Sequence, residues 1–183
     1  MRQSRLVEAI GSWVQVTRAR PHPDTERLDG RIVAVGPEWV IIETLSDGIY
    51  FDGWNVVRST HITALDPDFP DNPKYLARAL AEMPSPPMSG ALVRAVGGTG
   101  SSALRAILAT ANLVAIHIEK EDPEMLFVGQ FEPSYRRSIA ITSVDHQGQS
   151  DEDRLNLYTS TEITRVTIGS RYLDGLARFS LRG

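Results

Sequence analysis

The sequence has no cysteine in its 183 residues. Without thiols the chain can form no disulfide, thiolate metal site or cysteine nucleophile, a composition typical of a reducing cytoplasm. It also lacks any run of roughly 18 apolar residues, the length that a helix needs to cross a bilayer. Its N-terminus is charged at Arg2, Arg5 and Glu8 and has no apolar run of signal-peptide length. We therefore expect a soluble cytoplasmic protein with no membrane partner.

A surplus of basic residues is absent from both halves of the chain. Residues 1–90 hold 9 Lys and Arg against 12 Asp and Glu, residues 91–183 hold 10 against 11, and the net charge is −4. A protein that binds by neutralising phosphates usually has a basic domain, so this balance counts against strong nonspecific nucleic-acid binding. Seventeen of the 19 cations are arginine, whose guanidinium binds phosphate and carboxylate with two hydrogen bonds at once. A local basic patch is therefore still possible.

Groups suited to metal binding or catalysis are few. The sequence has 4 histidines, and none is paired with another His, Asp or Glu at metal-ligand spacing, so we predict no metal and no cofactor. His22 and His146 fall in predicted loops, and His117 alternates with Ile116 and Ile118, which predicts an exposed position on a strand. No Ser, Thr or Lys has a visible base beside it, so the sequence predicts no catalytic residue and no enzyme.

A near-verbatim pair of segments marks an internal repeat. The segment Ser59–Thr63 reads STHIT, and Ser160–Thr164, 101 residues later, reads STEIT. Before each of them a short helix leads into an alternating strand, at residues 4–18 and again at 104–118. The pattern predicts one module present twice. We expect each Ser-Thr segment to form a 3₁₀ turn that places Ile62 or Ile163 in the core.

Each copy is predicted to hold five strands and a closing helix. The second strand contains a glycine in both, Gly30 and Gly129, which indicates the sharp bend that a small barrel requires. The strands are separated by turn residues, and the last turn before a fourth strand is longer in copy two, at residues 145–153. That segment includes the acidic residues 151–153, which we interpret as a solvated loop.

Proline and glycine concentrate between the copies. Residues 83–100 begin with three closely spaced prolines and end with three closely spaced glycines, a composition typical of a linker. Within the segment, Leu92, Val93 and Val96 have the spacing of one helical turn. The domains predicted are therefore 1–82, a linker at 83–100, and 101–183. The glycines precede a helix, where a phosphate can bind, but no P-loop lysine follows, and Ser101 or Ser102 serves equally as a helix N-cap.

Part of the first copy resembles a known family. Leu28–Val35 with Gly30, Glu38 in the next turn, and Val56–Ile62 resemble the two signature segments of Sm proteins. The whole chain also resembles a group of uncharacterised bacterial proteins whose second half ends in the phrase ITRV, then G, then RY, here Ile163–Val166, Gly169, Arg171 and Tyr172. The resemblance implies a mainly β fold with flanking helices, in which two five-stranded Sm-like (SH3-like) barrels stand in tandem.

The Sm resemblance implies RNA binding in a ring pore only where an Arg-Gly pair follows two apolar residues. Here Arg58 is followed by Ser59, and copy two has Thr159 and Ser160 with no arginine. In Sm rings the fourth and fifth strands pair between neighbouring subunits, and a tandem chain could satisfy part of that pairing internally.

The candidate ligand-binding residues are mostly arginines with an aromatic neighbour. They are Arg18 and Arg20 in or beside the first polar loop, together with Arg27 and His22; Arg58 and His61 at the first Ser-Thr segment, where copy two has Glu162; and Tyr135, Arg136 and Arg137 in a hairpin of copy two. Such clusters can bind single-stranded nucleic acid or an acidic protein surface. The alternative is solvated hairpins whose arginines pair with Asp24, Glu26 or Glu132.

Three hypotheses follow for function. The first is a non-enzymatic binding or scaffold module that works by protein interaction or self-association. The second is RNA or single-stranded nucleic-acid binding through Sm-like barrels. The third is an enzyme, which would need a pocket between the barrels lined by His61, Arg58 and carboxylates.

Overall fold

The computed structural model describes residues 1–19, 26–118 and 126–180, without the side chains of Glu26, residues 151–154 and Ser180. The described chain is mainly β, with ten antiparallel strands in one sheet and five flanking α-helices. The sequence prediction of a mainly β protein with flanking helices is confirmed at this level. Within the described residues, no helix combines the length and the apolar character needed to cross a membrane.

The element bounds follow the predicted order in both copies. The strands are β1 Trp13–Arg18, β2 Glu26–Val35, β3 Trp39–Ser46, β4 Tyr50–Arg58, β5 Ile62–Asp66, β6 Val114–His117, β7 Leu126–Glu132, β8 Ile139–Val144, β9 Ser150–Tyr158 and β10 Arg165–Ile168. The helices are α1 Gln3–Glu8, α2 Pro73–Glu82, α3 Gly90–Val96, α4 Gly100–Leu108 and α5 Arg171–Ser180.

The sheet consists of two halves with the same internal strand order. Across the sheet the order is β5-β1-β2-β3-β4-β10-β6-β7-β8-β9, so each half places its fifth strand beside its first and its fourth strand at the far side. The halves join where β4 pairs with β10, with Val56 opposite Val166 and Asn55 opposite Thr167. We call this pairing the junction. What results is one open sheet of ten strands.

The predicted glycine of each second strand lies where two strands approach too closely for a side chain. A Cβ at Gly30 would sit 2.3 Å from the carbonyl oxygen of Glu43, and one at Gly129 would sit 2.3 Å from that of Thr142. Real Cβ atoms do not come that close to a backbone oxygen. Both halves therefore require glycine at the same place in the fold.

The largest core cluster is shared by both halves. It takes Trp39 and Val56 from the first half and Ile116 and Ile163 from the second. Two smaller clusters lie in one half each, around Leu6, Val16, Ile32 and Ile62 in the first and around Ala115, Val128, Leu173 and Leu176 in the second. Burying apolar surface contributes about 25 cal/mol of stability per Å². In this protein it stabilises the contact between the halves as well as each half.

The predicted 3₁₀ turn is confirmed in the first copy. It spans Ser59–His61 and is followed by the fully buried Ile62. The second copy has a turn there, and its Ile163 is equally buried. Glu162 accepts hydrogen bonds from the backbone N–H and the hydroxyl of Thr159, at 2.6 and 2.8 Å. Glu162 therefore closes its own turn.

Residues 83–100 are more than a linker. They contain α3, whose Leu92 and Val96 are buried in the shared core, while Val93 is exposed. The side chain of Ser85 also hydrogen-bonds to the carboxylate of Glu43. The domain boundaries drawn from the sequence stay a prediction, but the segment between them packs on the sheet.

Two local predictions are wrong. The N-cap of α4 is Thr99, two residues before Ser101 and three before Ser102, the N-caps predicted. The acidic residues 151–153 belong to β9, because that strand begins at Ser150 and the turn before it is shorter than predicted. Both elements begin earlier than predicted, because regular backbone hydrogen bonding includes the polar residues that precede the first apolar ones.

Candidate functional site

Arg58, a predicted binding residue, connects the two halves through hydrogen bonds. Its Nε donates to the carbonyl oxygen of Ile163 at 2.8 Å, and its Nη2 donates to that of Ser160. The guanidinium also stacks over Trp39, 4.4 Å from the ring centre. Burial lowers the pKa of Arg58, while the nearby carboxylate of Glu38 works in the opposite direction. The first copy's arginine thus binds the Ser-Thr turn of the second copy.

Glu38 connects this contact to the glycine-rich segment. Its carboxylate lies 3.5 Å from Arg58 and accepts a hydrogen bond of 2.9 Å from the backbone N–H of Gly100, the first residue of α4. A helix N-terminus attracts negative charge, and here a side chain of the protein supplies it. The phosphate-binding alternative for residues 97–102 therefore loses its main support.

The remaining first-copy candidates occupy different environments. Arg18 is the last residue of β1 and its side chain is 0% exposed, so the interpretation of a solvated residue is wrong. Its role in ligand binding stays a prediction. His61 is half-buried in the 3₁₀ turn, and its carbonyl oxygen accepts from the N–H of Ala19 at 2.9 Å. Arg20 and His22 lie outside the described residues.

The second-copy candidates Tyr135, Arg136 and Arg137 are exposed on the turn between β7 and β8. Arg105 of α4 holds this turn by donating to the carbonyl oxygens of Tyr135 and of Ser138, the latter at 2.6 Å. Of the first arginine cluster, Arg18 ends β1 and Arg27 lies near the start of β2, and the counterparts of these strands in the second half are β6 and β7. The two clusters therefore occupy different places in their halves.

A concave pocket of about 430 Å³ lies at the junction. Its lining comes from both halves of the sheet and from the start of α5, and includes Arg27, Asp29, Thr44, Asp52, Asn55, His117, Arg165, Thr167 and Tyr172. We call it the junction pocket. A pocket between the halves was the requirement of the enzyme hypothesis, but the residues proposed for it, Arg58 and His61, are not among the described residues that line it.

Three polar side chains in the floor of the junction pocket form a continuous network. Thr167 Oγ1 donates to Asn55 Oδ1 at 2.6 Å, Asn55 Nδ2 donates to Thr44 Oγ1 at 2.7 Å, and Thr44 Oγ1 donates to the carbonyl oxygen of Gly53 at 2.9 Å. All three residues are buried. The network fixes the orientation of the Asn55 amide and links β3, β4 and β10.

A buried arginine and histidine complete the floor. Arg165 is 8% exposed and His117 is 7% exposed, on neighbouring strands. The guanidinium nitrogen Nη2 of Arg165 lies 2.5 Å from His117 Nε2, and because a guanidinium only donates, this imidazole nitrogen accepts. The prediction that His117 is exposed is wrong, because the side of β6 opposite the shared core faces the pocket and α5 instead of solvent.

The sequence analysis missed this group of residues. In an alternating strand, the polar positions between β-branched or aromatic residues are expected to face solvent. Four residues of the pocket occupy such positions: Thr44, Asn55, His117 and Thr167. The signal that distinguishes them is only visible across strands: the pairing of β4 with β10 brings Asn55 opposite Thr167. No sequence pattern specified that pairing.

Among residues 1–19, 26–118 and 126–180, no three His, Asp or Glu side chains lie close enough to hold a metal ion. The groups that line the junction pocket provide hydrogen bonding and charge: guanidinium groups, an imidazole, an amide, two carboxylates and hydroxyls. Comparison of the chain with protein-family models, with curated proteins and with solved structures finds no match in any of the three.

Proposed function

We propose that the protein is a non-enzymatic binding or scaffold module, built from two Sm-like barrels in tandem, that works by protein interaction and first of all by self-association. The observation that carries the proposal is the junction itself. There a fourth strand of one half and a fifth strand of the other already form an interface by antiparallel pairing.

The outer edges of the sheet offer the same two kinds of strand. At one end lies β5, the first-half counterpart of β10, and at the other lies β9, the second-half counterpart of β4. Neither pairs with a further strand of the described chain. An edge strand presents unpaired backbone N–H and C=O groups, so β9 of one molecule can pair with β5 of another as β4 pairs with β10. The contact is head-to-tail and adds molecules in a row or a closed ring.

Side chains along both edges are accessible for such a contact. On β5, Thr63 and Ala64 are exposed. On β9, Leu157 is 55% exposed and offers apolar surface on the edge strand. We expect self-association to cover Leu157.

Light scattering coupled to gel filtration tests the proposal over a range of protein concentrations. The expected result is a mass above the 20.2 kDa of one chain that rises with concentration. Leu157→Lys and Ala64→Lys place a charge on one edge each, the means by which natural edge strands avoid pairing, and each variant should return the mass to one chain.

The matched control is Tyr75→Lys, which changes an exposed large side chain on α2, outside both edge strands. It should associate as the unmodified protein does. A single-chain mass at all concentrations, or association that survives both edge variants, would contradict the proposal.

A second function, binding of single-stranded nucleic acid, has one observation in its favour. Tyr135, Arg136 and Arg137 stand exposed together on a turn that Arg105 holds in place. Aromatic stacking with flanking cations is how single strands are bound without sequence preference. Fluorescence anisotropy with labelled RNA and DNA oligonucleotides at low salt tests it: affinity should fall with salt and in Arg136→Gln/Arg137→Gln. Salt-independent or absent binding rules it out.

A further inference from the structure

A second pocket, of about 260 Å³, lies between α5 and the strands of the second half. We call it the α5 pocket, and its lining includes Leu113, Gln130, Val144, Leu173, Asp174 and Ala177. We infer that it binds a small aromatic amine, with the ring against its apolar wall and the ammonium group at the carboxylate of Asp174. Neither Leu157 nor Ala64 lies on this lining, so the site does not depend on self-association.

The wall of the α5 pocket is mostly apolar. Leu173 of α5 is buried, and Leu113 and Val144 are half-buried. Leu113 and Val144 pack against the small core cluster of the second half, to which Leu173 belongs, so the wall is held in place by the fold. Binding pockets for small molecules have this character, an apolar wall with a few polar groups that orient the ligand.

The polar groups of the α5 pocket are free to bind a ligand. In the part of the chain that the structure describes, the half-buried amide of Gln130 has no hydrogen-bond partner and the exposed carboxylate of Asp174 has no ion pair. The described lining contains no Lys or Arg that would offset the charge of Asp174. The electrostatics of the pocket therefore favour a cationic group over an anionic one.

The first half carries an aromatic ring and a cation at the equivalent place. Trp13 of β1 lies opposite Arg31 of β2. The guanidinium of Arg31 lies 5.3 Å from the centre of the Trp13 ring, within the range of a cation–π contact, and its Nε donates to the carboxylate of Glu43 at 3.0 Å. A ring, a cation and a carboxylate of the protein itself therefore combine on this side of the first half.

The second half has smaller or uncharged residues at these positions. The pairing of β6 with β7 has the same register as that of β1 with β2 around the glycine of the second strand. Leu113 and Gln130 therefore take the places of the indole and the guanidinium, and both line the α5 pocket. Asp174 supplies a carboxylate to the same pocket. A ligand that brings a ring and a cation would complete the combination that the first half has by itself.

The volume of the pocket limits the ligand to one or two rings. At about 260 Å³ it is slightly smaller than the roughly 300 Å³ at which pockets for drug-sized ligands begin. A planar aromatic ring provides a large apolar contact surface, and an ammonium group has three N–H donors for a carboxylate and an amide oxygen. Tryptamine, an indole with an ammonium group on a two-carbon chain, combines these features and is the probe of choice.

Isothermal titration calorimetry of the full chain with tryptamine and with tryptophol, its neutral alcohol analogue, tests the inference. Tryptamine should bind, and tryptophol should bind about 2- to 5-fold more weakly, because it lacks the charge that pairs with an exposed carboxylate. Asp174→Asn should weaken tryptamine by the same factor and leave tryptophol unchanged. The matched control, Asp71→Asn, changes an exposed carboxylate outside the described lining and should leave both affinities unchanged.

A variant that fills the α5 pocket tests the place of binding. Leu113→Trp introduces the ring that the first half has and should weaken tryptamine at least about 10-fold. If that variant does not fold, Ala177→Leu fills the same space from the half-buried side of α5. The site is disproved if tryptamine does not bind up to millimolar concentration, if tryptophol binds as tightly, if Asp174→Asn leaves the tryptamine affinity unchanged, or if the folded filling variant still binds as the unmodified protein does.

Discussion

The fourth strands of the two halves occupy the same place in the fold but have different surroundings. In the first half, β4 has a neighbour on each side, and its last residue, Arg58, reaches across to the second half. In the second half, β9 is the end of the sheet, and Tyr158 takes the position that Arg58 has opposite the third strand. The two halves therefore differ at this position, where one fourth strand has a second neighbour and the other does not.

The comparison separates two kinds of residue. Gly30 and Gly129 are the same in both halves, because each half must bring its second and third strands equally close. Arg58 and the polar network around Asn55 occur once, at the junction. The two glycines thus serve the packing within each half, whereas Arg58 and the network serve the contact between the halves.

The largest effect is expected from the repeated glycines. Gly30→Ala and Gly129→Ala each force a Cβ against a carbonyl oxygen, and each should lower the free energy of unfolding by about 3 kcal/mol. Urea unfolding followed by tryptophan fluorescence measures this. Similar losses would support the equivalence of the halves. A loss in only one variant would show that the halves are built differently at this strand.

A smaller loss is expected at the contact between the halves. Arg58→Met removes charged hydrogen bonds to the carbonyls of Ser160 and Ile163, and should cost about 2 kcal/mol in the same measurement. Arg178→Met, at an exposed position of α5, is the control and should stay within about 0.5 kcal/mol of the unmodified protein. Equal stability of the two variants would mean that Arg58 does not hold the halves together.

The polar network should contribute less than the arginine. Thr167→Val leaves Asn55 Oδ1 without its donor and should cost about 1 kcal/mol. Replacing all three members, by Thr44→Val, Asn55→Leu and Thr167→Val, should recover most of that loss because no polar group is then left unpaired. Thermal unfolding compares the two variants. A triple variant that is less stable than Thr167→Val would contradict this expectation.

The smallest effect concerns the turn before β9. Asp145 accepts backbone N–H groups of Gln147 and Gln149, and these hydrogen bonds lower its pKa. Its contribution is therefore present above the ordinary aspartate pKa of about 4 and is lost as the pH falls through the lowered value. Asp145→Asn should unfold at a lower temperature than the unmodified protein near neutral pH, and the difference should shrink as the pH falls below about 4. The first half closes its turn through Asp47 and Gly48, both at positive φ.

Much of the fold could be predicted because local patterns determine it. The alternating strands, the glycines and the buried isoleucines after the Ser-Thr segments all reflect contacts within one half. The pairing of β4 with β10 joins residues about a hundred positions apart and leaves no periodic mark in the sequence. Only the Sm resemblance, in which fourth and fifth strands pair between subunits, pointed to a pairing of this kind within the chain. The roles of Arg58, His117 and Asn55 depend on that pairing. Sequence reasoning consequently placed the candidate site on loops, while the polar pocket lies between strands.

The position of α3 has a consequence for how the molecule unfolds. Because Leu92 and Val96 pack with side chains of both halves in one core, neither half can lose its structure without exposing apolar surface on the other. Melting should then be a single cooperative transition despite the repeated architecture. A fragment that ends at residue 82 would leave Trp39 and Val56 without their packing partners, so the unit that folds is larger than one half of the sheet.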